Sequence, residues 1–341
     1  MRKLLNTLYV TSSDAWLARD GECVSVRIGG EEKLKIPLIN LENIITFSYA
    51  GASPALMHAC AKYGIGLSFL SENGYFLARS VGKTNGNVLV RRAQYRLADN
   101  KEMSLKLASS IIAAKISNSR KVLERFLRDY PESPDCVKVK EASNILNFAK
   151  HDALNAENAD ILRGVEGNAS RVYFSVFGSL ILRRGFSFEG RTRRPPKDNV
   201  NALLSFAYTL LASDIQSALE SVGIDSYVGF FHTDRPGRAS LALDIMEEFR
   251  GYLADRFVLS LINKNMVAAE DFIDNGGGSG VILKPEARKN FISAWQKRKH
   301  EEIMHPFLGE KVPIGLLGYV QAMMFSKFLR GELDGYPVFL I

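Results

Sequence analysis

The sequence predicts an α+β protein in which a small β-rich N-terminal domain precedes a larger all-α C-terminal domain. In the first ~80 residues, short runs of alternating apolar residues are separated by glycine and polar turns, which is typical of strands. From Val88 onward the apolar residues recur at helical spacing. The length of 341 residues exceeds the ~250–300 at which a single core stops growing. We therefore expect a β-rich domain over residues 1–88 and an α-helical domain over residues 89–341.

One helix is predicted within the β-rich part. Ser53 is placed as its N-cap, Pro54 occupies the first helical position, and Gly64 follows its end. The strands around it are predicted at Leu4–Val10, Glu22–Ile28, Lys33–Pro37, Ile44–Tyr49, Gly66–Leu70 and Tyr75–Val81.

The C-terminal part begins with a basic amphipathic helical stretch, Arg91–Arg128, which Pro131 and Pro134 interrupt. The helical patterns that follow are predicted at Glu141–Arg163, Ala169–Arg184, Ala202–Val222, Ser240–Ile262, Pro285–His300 and Pro313–Arg330.

Composition excludes several classes of protein. A content of 46% hydrophobic and 24% charged residues is ordinary for a globular chain and argues against disorder and coiled coil. The three cysteines are scattered and form no CxxC pair, which argues against a disulfide framework or a thiolate zinc site. The N-terminus becomes polar too early for a secretory signal, and no apolar run reaches membrane-spanning length. We expect a cytoplasmic protein without a membrane partner.

The charge distribution is uneven. The chain has 44 Lys+Arg and 37 Asp+Glu, a formal charge of +7. Residues 76–150 hold 15 basic and 7 acidic groups, whereas residues 201–341 hold 14 basic and 17 acidic groups. Such a local excess indicates a polyanionic partner such as nucleic acid, although a solvated helix face explains it equally well.

The first candidate site combines a histidine with two acids. His232 ends an apolar run, and Asp244 and Glu247 lie about 60° apart on the helix that follows. These three side chains can face one centre and bind a metal ion. One imidazole with carboxylates suits Mg²⁺ or Mn²⁺ better than zinc. Alternatively, the two acids are surface residues paired with Arg250 and Arg238.

The second candidate is Glu166, between Gly164 and Gly167. The glycines would let a ligand approach the backbone. Alternatively, Glu166 favours the positive start of a helix beginning near Asn168.

A third stretch places four cations on a proline-stiffened loop before a helix. It is either a phosphate clamp or a solvated basic loop, and its cations are Arg191, Arg193, Arg194 and Lys197.

Together these stretches resemble the integrase and endonuclease family of CRISPR adaptation, the larger of its two core proteins. The resemblance covers nearly the whole chain, and its ending and length resemble the form found beside type I systems, of subtype C. It is carried by Gly164-Val165-Glu166-Gly167, Arg193-Arg194-Pro195-Pro196, Asn201-Ala202-Leu203-Leu204, His232, Asp244-Ile245-Met246-Glu247, Tyr319-Val320-Gln321-Ala322 and Leu329-Arg330-Gly331-Glu332-Leu333.

The resemblance implies a dimerising β-rich domain, an α-helical domain with one divalent ion, and assembly with a small partner protein into a DNA-integrating complex. It implies Glu166, His232 and Glu247 as the ligands of Mg²⁺ or Mn²⁺, with Asp244 as a further acid near the ion. It places Arg235 in the basic turn after the histidine. Together with Arg191, Arg193, Arg194 and Arg238, this arginine is expected to contact DNA. Many relatives have aspartate where this chain has Glu247.

The expected reaction is the attack of a DNA 3′-hydroxyl on a phosphodiester, which inserts short fragments into a repeat array, with water in its place giving nuclease activity. Two alternatives remain open: a purely hydrolytic structure-specific nuclease and a non-catalytic nucleic-acid-binding scaffold.

Overall fold

The computed structural model describes residues 6–71, 76–82, 88–193, 195–274 and 280–341. The chain forms two compact units. The first contains Met1–Gly86, Leu283–Ile303 and Val312–Leu317, and the second contains Asn87–Ile282, Met304–Lys311 and Gly318–Ile341. The predicted α+β class, with strands first and helices after them, is confirmed. The assignment of residues 1–88 to dimerisation and of 89–341 to catalysis stays a prediction.

The first unit contains two sheets. β1, β5, β6 and β7 form one sheet in that order, in which β1, β5 and β6 are parallel and β7 is antiparallel to β6. The other sheet is the antiparallel β2-β3-β4. The strands are β1 (Thr7–Val10), β2 (Trp16–Asp20), β3 (Cys23–Ile28), β4 (Glu31–Pro37), β5 (Asn43–Thr46), β6 (Gly66–Leu70) and β7 (Phe76–Ser80). The sequence did not predict β2, because Leu17 is its only buried side chain and no alternation results.

The helix predicted in this unit is confirmed as α1 (Pro54–Tyr63). The Ser53 hydroxyl accepts a hydrogen bond from Leu56 N, and Gly64 ends the helix at φ 66°. A later helix, α9 (Pro285–His300), also belongs to this unit, where Gln296 donates a hydrogen bond of 2.7 Å to the Thr7 carbonyl.

The second unit is helical and is organised around one long helix, α3, which packs against α4, α5 and α7. Its helices are α2 (Val88–Asp99), α3 (Lys101–Asp129), α4 (Cys136–Leu154), α5 (Ala159–Ser175), α6 (Asn199–Ser221), α7 (Ser240–Phe249), α8 (Arg256–Asn263) and α10 (Leu317–Leu329). Four short strands form the pairs β8 (Phe272–Asp274) with β9 (Val281–Leu283) and β10 (Glu302–Met304) with β11 (Lys311–Pro313).

Several predicted helix boundaries are wrong. The stretch Arg91–Arg128 contains a break, because Asn100 caps α3 by accepting a hydrogen bond from the Met103 amide. The pattern at Ala169–Arg184 begins inside α5 and continues past its end at Ser175. The pattern at Glu141–Arg163 merges α4 with α5, which are separated because Asn158 caps α5 by accepting hydrogen bonds from the amides of Asp160 and Ile161. The pattern at Ser240–Ile262 contains a change of helix type, because Arg250–Asp255 is π-helical and joins α7 to α8. All six residues of this π-helical segment are buried.

Of the described residues, one helix, α6, is long and apolar enough to cross a membrane. Most of its apolar window is buried within the protein, as in the core helix of a folded domain.

Candidate active site

The first acid of the site, Glu166, lies within α5 rather than before a helix. The expectation of a helix beginning near Asn168 is therefore wrong, and so is the alternative role of Glu166 at that helix start. Gly164 and Gly167 lie on exposed positions of the same helix, about 160° and 100° around its axis from Glu166, and a Cβ built on either would have no atom within 4 Å. The two glycines therefore do not line the face of α5 that carries Glu166.

A buried lysine joins Glu166 to the second acid. Lys115 of α3 forms an ion pair with Glu166 Oε1, and its Nζ lies 2.8 Å from Oε2 of Glu247 on α7. The Lys115 side chain is only 8% exposed. Three helices that are distant in sequence thus meet at one ammonium group.

Glu247 also contacts a second cation. Arg250 Nη1 lies 3.2 Å from both carboxylate oxygens, and the Arg250 guanidinium stacks 4.4 Å from the Tyr208 ring centroid. Burial alone would raise the pKa of Glu247, but Lys115 and Arg250 outweigh burial and lower this pKa to about 2. The carboxylate therefore stays charged inside the protein.

Glu166 is held in the same charge state. Burial favours its neutral form, but the Lys115 ammonium outweighs burial and lowers the pKa of Glu166 below its ordinary value. The Ser170 hydroxyl donates a 2.9 Å hydrogen bond to Oε1. Within the described part of the chain, Oε2 has no hydrogen-bond partner, so this oxygen is available to a ligand.

The histidine is fixed by the third acid of α7. Asp244 is fully buried and accepts hydrogen bonds from the backbone amides of Phe230, Phe231 and His232 at 2.6, 3.0 and 3.0 Å. Its Oδ1 also lies 2.6 Å from His232 Nδ1. Because a carboxylate only accepts, Nδ1 carries the proton and Nε2 presents its lone pair. A Cβ on Gly229 would lie 2.8 Å from Asp244 Oδ2, so glycine permits this close approach.

The structure separates two acids that the sequence placed at one centre. Asp244 supports His232, whereas Glu247 joins Glu166 through Lys115. His232 is still near enough to Glu247 that a protonated imidazole would lower the pKa of that carboxyl. The alternative that both acids are surface residues is wrong because they are buried, although the expected pair of Glu247 with Arg250 is present.

The predicted DNA-contacting arginines differ in exposure. Arg193 and Arg235 are exposed, whereas Arg191 donates hydrogen bonds to Asn201 Oδ1 and Ser205 Oγ at 2.7 and 3.0 Å. Arg238 hydrogen-bonds Thr233 and Ser240 and fixes the turn after His232. Arg194 lies outside the described residues. DNA contact by any of the five stays a prediction.

A third buried glutamate faces a different environment. Glu248 Oε2 accepts hydrogen bonds from the Phe339 amide at 2.7 Å and from Gln321 Nε2 at 3.0 Å. Among the described residues no cation pairs with Glu248, and burial raises its pKa to about 8. Asn118 of α3 holds the same C-terminal segment, since Nδ2 donates to the Phe339 carbonyl at 2.8 Å. Residues 336–341 are thereby fastened to α3 and α7.

The sequence pattern counted Lys115 among the cations of the basic stretch Arg91–Arg128, whereas this lysine is buried and paired, and it gave no role to Glu248. A signal for Lys115 was present, because it lies on a stripe of α3 whose other members are apolar or small and buried. These members are Ala108, Ile112, Ser119, Val122 and Phe126. A lysine on such a stripe indicates a buried counter-charge.

Comparison with solved structures defines the class of fold. The chain superposes on a casposase bound to integration product with a TM-score of 0.83, at 22% identity, over 97% of this chain and 92% of that one. It also superposes on a Cas6-RT-Cas1–Cas2 complex with a TM-score of 0.84, at 23% identity, over 99% of this chain and 36% of that one. The two-unit α+β architecture is therefore the fold of these DNA-integration and CRISPR-associated proteins.

Sequence comparison identifies the family within that class. Residues 8–297 match the family model of CRISPR associated protein Cas1. The chain is also 48% identical over 342 residues to CRISPR-associated endonuclease Cas1 1 of Chlorobaculum tepidum, covering 100% of this chain and 99% of the relative. The chain belongs to the Cas1 family, as its resemblance implied, while the subtype stays a prediction.

Proposed function

We propose that this Cas1 protein is a divalent-metal-dependent DNA endonuclease and integrase of CRISPR adaptation. One observation carries the proposal: α3, α5 and α7 bring two charged carboxylates together, and His232 lies within electrostatic reach of Glu247. The endonuclease name of the Chlorobaculum tepidum relative supports the same class of activity.

Glu166, His232 and Glu247 would hold Mg²⁺ or Mn²⁺. The donor types fit, since Glu166 Oε2 is unbonded and His232 presents Nε2 to a ligand while Asp244 fixes its other nitrogen. Among the described residues, however, no group of three or more His, Cys, Asp or Glu side chains already surrounds one point at ligand distance. The Lys115 ammonium lies between two of the three proposed ligands.

A bound divalent ion would polarise the scissile phosphodiester and stabilise the negative charge of the transition state. Two features of the protein would support this role. Lys115 and Arg250 keep the carboxylates of Glu166 and Glu247 ionised, and Asp244 orients the His232 imidazole. A DNA 3′-hydroxyl as the attacking group gives strand joining, and water gives cleavage.

DNA would be held by phosphate contacts that do not read its sequence. Arg193 and Arg235 are exposed and suited to direct contact, as we propose for Arg194. Arg191 and Arg238 would position the loops that carry them. We further propose a cytoplasmic homodimer, formed through the β-rich domain, that assembles with a small partner. The similarity to a Cas6-RT-Cas1–Cas2 complex supports such an assembly.

The test is a strand-joining assay with the purified full-length protein. A supercoiled plasmid carrying the repeat array and a short duplex with free 3′-hydroxyls are incubated with Mn²⁺ or EDTA, with and without candidate small partners from its genomic neighbourhood. Glu166→Gln removes a proposed ligand, and Glu141→Gln on the exposed face of α4 is the matched control. We expect Mn²⁺-dependent covalent product from the wild type and the control but not from Glu166→Gln.

The other outcomes identify the alternatives. Metal-dependent nicking without joined product indicates a purely hydrolytic nuclease. Plasmid and duplex binding without any broken bond, unchanged in Glu166→Gln, indicates a non-catalytic scaffold. Either result contradicts the integrase proposal.

A further inference from the structure

Lys115 occupies the position where a bound cation would neutralise two acids of the site. Its Nζ contacts Glu166 Oε1 and lies 2.8 Å from Glu247 Oε2, so one ammonium bridges both carboxylates. The side chain reaches this point from the apolar stripe of α3, and its flexible four-carbon stem allows the ammonium to move. The proposed ion and this ammonium therefore compete for the same two carboxylates.

The charges around Lys115 leave little attraction for a free divalent ion. Lys115 and Arg250 offset Glu166 and Glu247, so this group of four is formally neutral. Asp244 adds one formal negative charge, and its Oδ1 lies 2.6 Å from His232 Nδ1. Asp255 accepts a hydrogen bond from the Tyr208 hydroxyl, and the Arg191 guanidinium lies 5.1 Å from the Tyr208 ring centroid, so this acid and this cation together add no formal charge. A divalent ion alone would thus leave the site with an excess of positive charge.

A DNA phosphate would remove that excess. It brings one negative charge, and a phosphate oxygen is an alternative partner for a displaced ammonium. The ion and the phosphate each make the site more favourable for the other, which is a coupling between two binding equilibria.

We infer that Lys115 is the internal counter-ion of the site, which keeps divalent-metal affinity low until a DNA phosphate binds with the metal. The inference rests on the proposed function, because it takes Glu166 and Glu247 as metal ligands. Lys115 would act through the two carboxylates with which it pairs; it is not itself a metal ligand, and it belongs to none of the sequence motifs described above.

The experiment measures Mn²⁺ binding rather than catalysis. Titration calorimetry and the Mn²⁺ electron paramagnetic resonance signal give the Mn²⁺ Kd of the full chain with and without a saturating short duplex. The duplex ends in dideoxynucleotides and therefore cannot be joined. The variants are Lys115→Met and, as matched control, Lys121→Met, a half-exposed lysine of α3 paired with Glu124.

For the wild type and Lys121→Met we expect the duplex to tighten Mn²⁺ binding about tenfold or more. Lys115→Met should bind Mn²⁺ at least about tenfold more tightly than the wild type without DNA, and the duplex should add little. The metal-free Lys115→Met protein should melt below the wild type, because its two carboxylates lose their shared cation, and Mn²⁺ should restore most of the loss.

Equal Mn²⁺ affinity of the wild type with and without duplex would overturn the inference, whatever the variant does. Unchanged or weaker Mn²⁺ binding by folded Lys115→Met would also overturn it. If Lys115→Met does not fold, Lys115→Gln provides the neutral variant and Lys115→Arg, which keeps the charge, should retain the wild-type coupling.

Failure of the proposed function would appear differently. If Glu166→Gln in the Lys115→Met background removes the tight Mn²⁺ site while the wild type never joins strands, the counter-ion inference stands and the integrase proposal fails. If the wild type joins strands with Mn²⁺ but shows no coupling, only the inference fails.

Discussion

Two adjacent glutamates of α7, Glu247 and Glu248, are both buried, yet at pH 7 Glu247 is ionised and Glu248 is neutral. Glu247 faces Lys115 and Arg250, and its pKa falls to about 2. Glu248 faces Gln321 and the backbone of the C-terminal segment, and its pKa rises to about 8. Burial disfavours the charged form at both positions, so the difference arises from the two cations on one side of the helix. One side of α7 is therefore suited to bind ions, and the other to hold the fold.

The largest expected effect is a difference in reaction rate between variants on the two sides of α7. Glu247→Gln should lower Mn²⁺-dependent strand joining and nicking by about 100-fold or more, because a ligand is lost and Lys115 keeps an unbalanced charge. Glu248→Gln should leave the rates within about threefold, since an amide replaces a carboxyl that is already neutral at pH 7. Initial rates on the repeat plasmid measure both, with circular dichroism to confirm folding. Equal losses in the two variants would contradict the assignment.

The second prediction concerns stability as a function of pH. The folded-state pKa of Glu248, about 8, lies above the ordinary value near 4.5, so the folded protein keeps a proton that the unfolded chain releases. The stabilising contribution of Glu248 is complete below pH 4.5 and is lost as the pH rises to 8, by up to about 1.4 kcal/mol per pH unit. Glu247 behaves oppositely, because its contribution is present above pH 4.5 and is lost as the pH falls towards 2.

Urea unfolding of the wild type and Glu248→Gln between pH 5 and pH 9 tests this expectation. The variant should gain stability relative to the wild type as the pH rises. Parallel stability curves would show that Glu248 is ionised in the folded protein and that the contrast with Glu247 is wrong.

The third prediction extends the comparison to Asp244, a buried acid of α7 that three backbone amides and His232 Nδ1 hold. An asparagine at this position would replace one of the two carboxylate oxygens with an NH₂ group, which cannot accept a hydrogen bond. At least one of the buried backbone N–H groups that now donate to Asp244 would then lose its acceptor. We expect Asp244→Asn to lower the free energy of unfolding by about 1–3 kcal/mol. Loss of imidazole orientation should also lower activity about 10- to 100-fold. Denaturant unfolding and strand-joining rates measure these effects, with exposed Asp234→Asn of the same turn as control. A variant as stable and active as the control would show that Asp244 does not support His232.

The smallest expected effect concerns an exposed cation. Arg193→Ala should flatten the slope of log affinity for duplex DNA against log salt by about 0.9, equally for unrelated sequences, because one phosphate contact is lost. Fluorescence anisotropy across a salt series measures the slope, with Arg330→Ala, which removes an exposed arginine paired with Glu332, as control. A loss confined to one DNA sequence would identify Arg193 as a base reader.

Local signals in the sequence predicted much of the fold. The cap at Ser53 and the glycine at position 64 bounded α1 correctly, and the pattern at Pro285–His300 matches α9 residue for residue. The start of α5 was misplaced because the apolar spacing continues through Asn155 and Asn158, where only the cap geometry ends one helix and begins the next.

The candidate site was predictable only where its members carry a local pattern. Its flanking glycines suggested Glu166, and the turn that it begins suggested His232. In the structure Glu166 lies where α3, α5 and α7 meet, and His232 lies close to Glu247 at the same place. The roles of Lys115 and Glu248 depend on partners far along the chain, such as Phe339, which lies 91 residues after Glu248. A local sequence pattern cannot reveal a contact over such a distance. The ion pairs of Lys115 and the neutral state of Glu248 could therefore be recognised only in the folded structure.

The π-helical segment Arg250–Asp255 has a consequence for how the chain tolerates insertions and deletions. A π-helical turn, with its i→i+5 hydrogen bonds, holds about one residue more than an α-helical turn, so deleting a single residue here would restore an uninterrupted α-helix. Because the π-helical turn already absorbs that residue, α7 and α8 would keep their angular phase, and Asp244 and Glu247 would still face His232 and Lys115. The same deletion within α7, where no π-helical turn absorbs it, would rotate the residues on its two sides by about 100° relative to each other. A one-residue change of length is therefore compatible with the direction of the acidic side chains in Arg250–Asp255 but not in the helix that carries them.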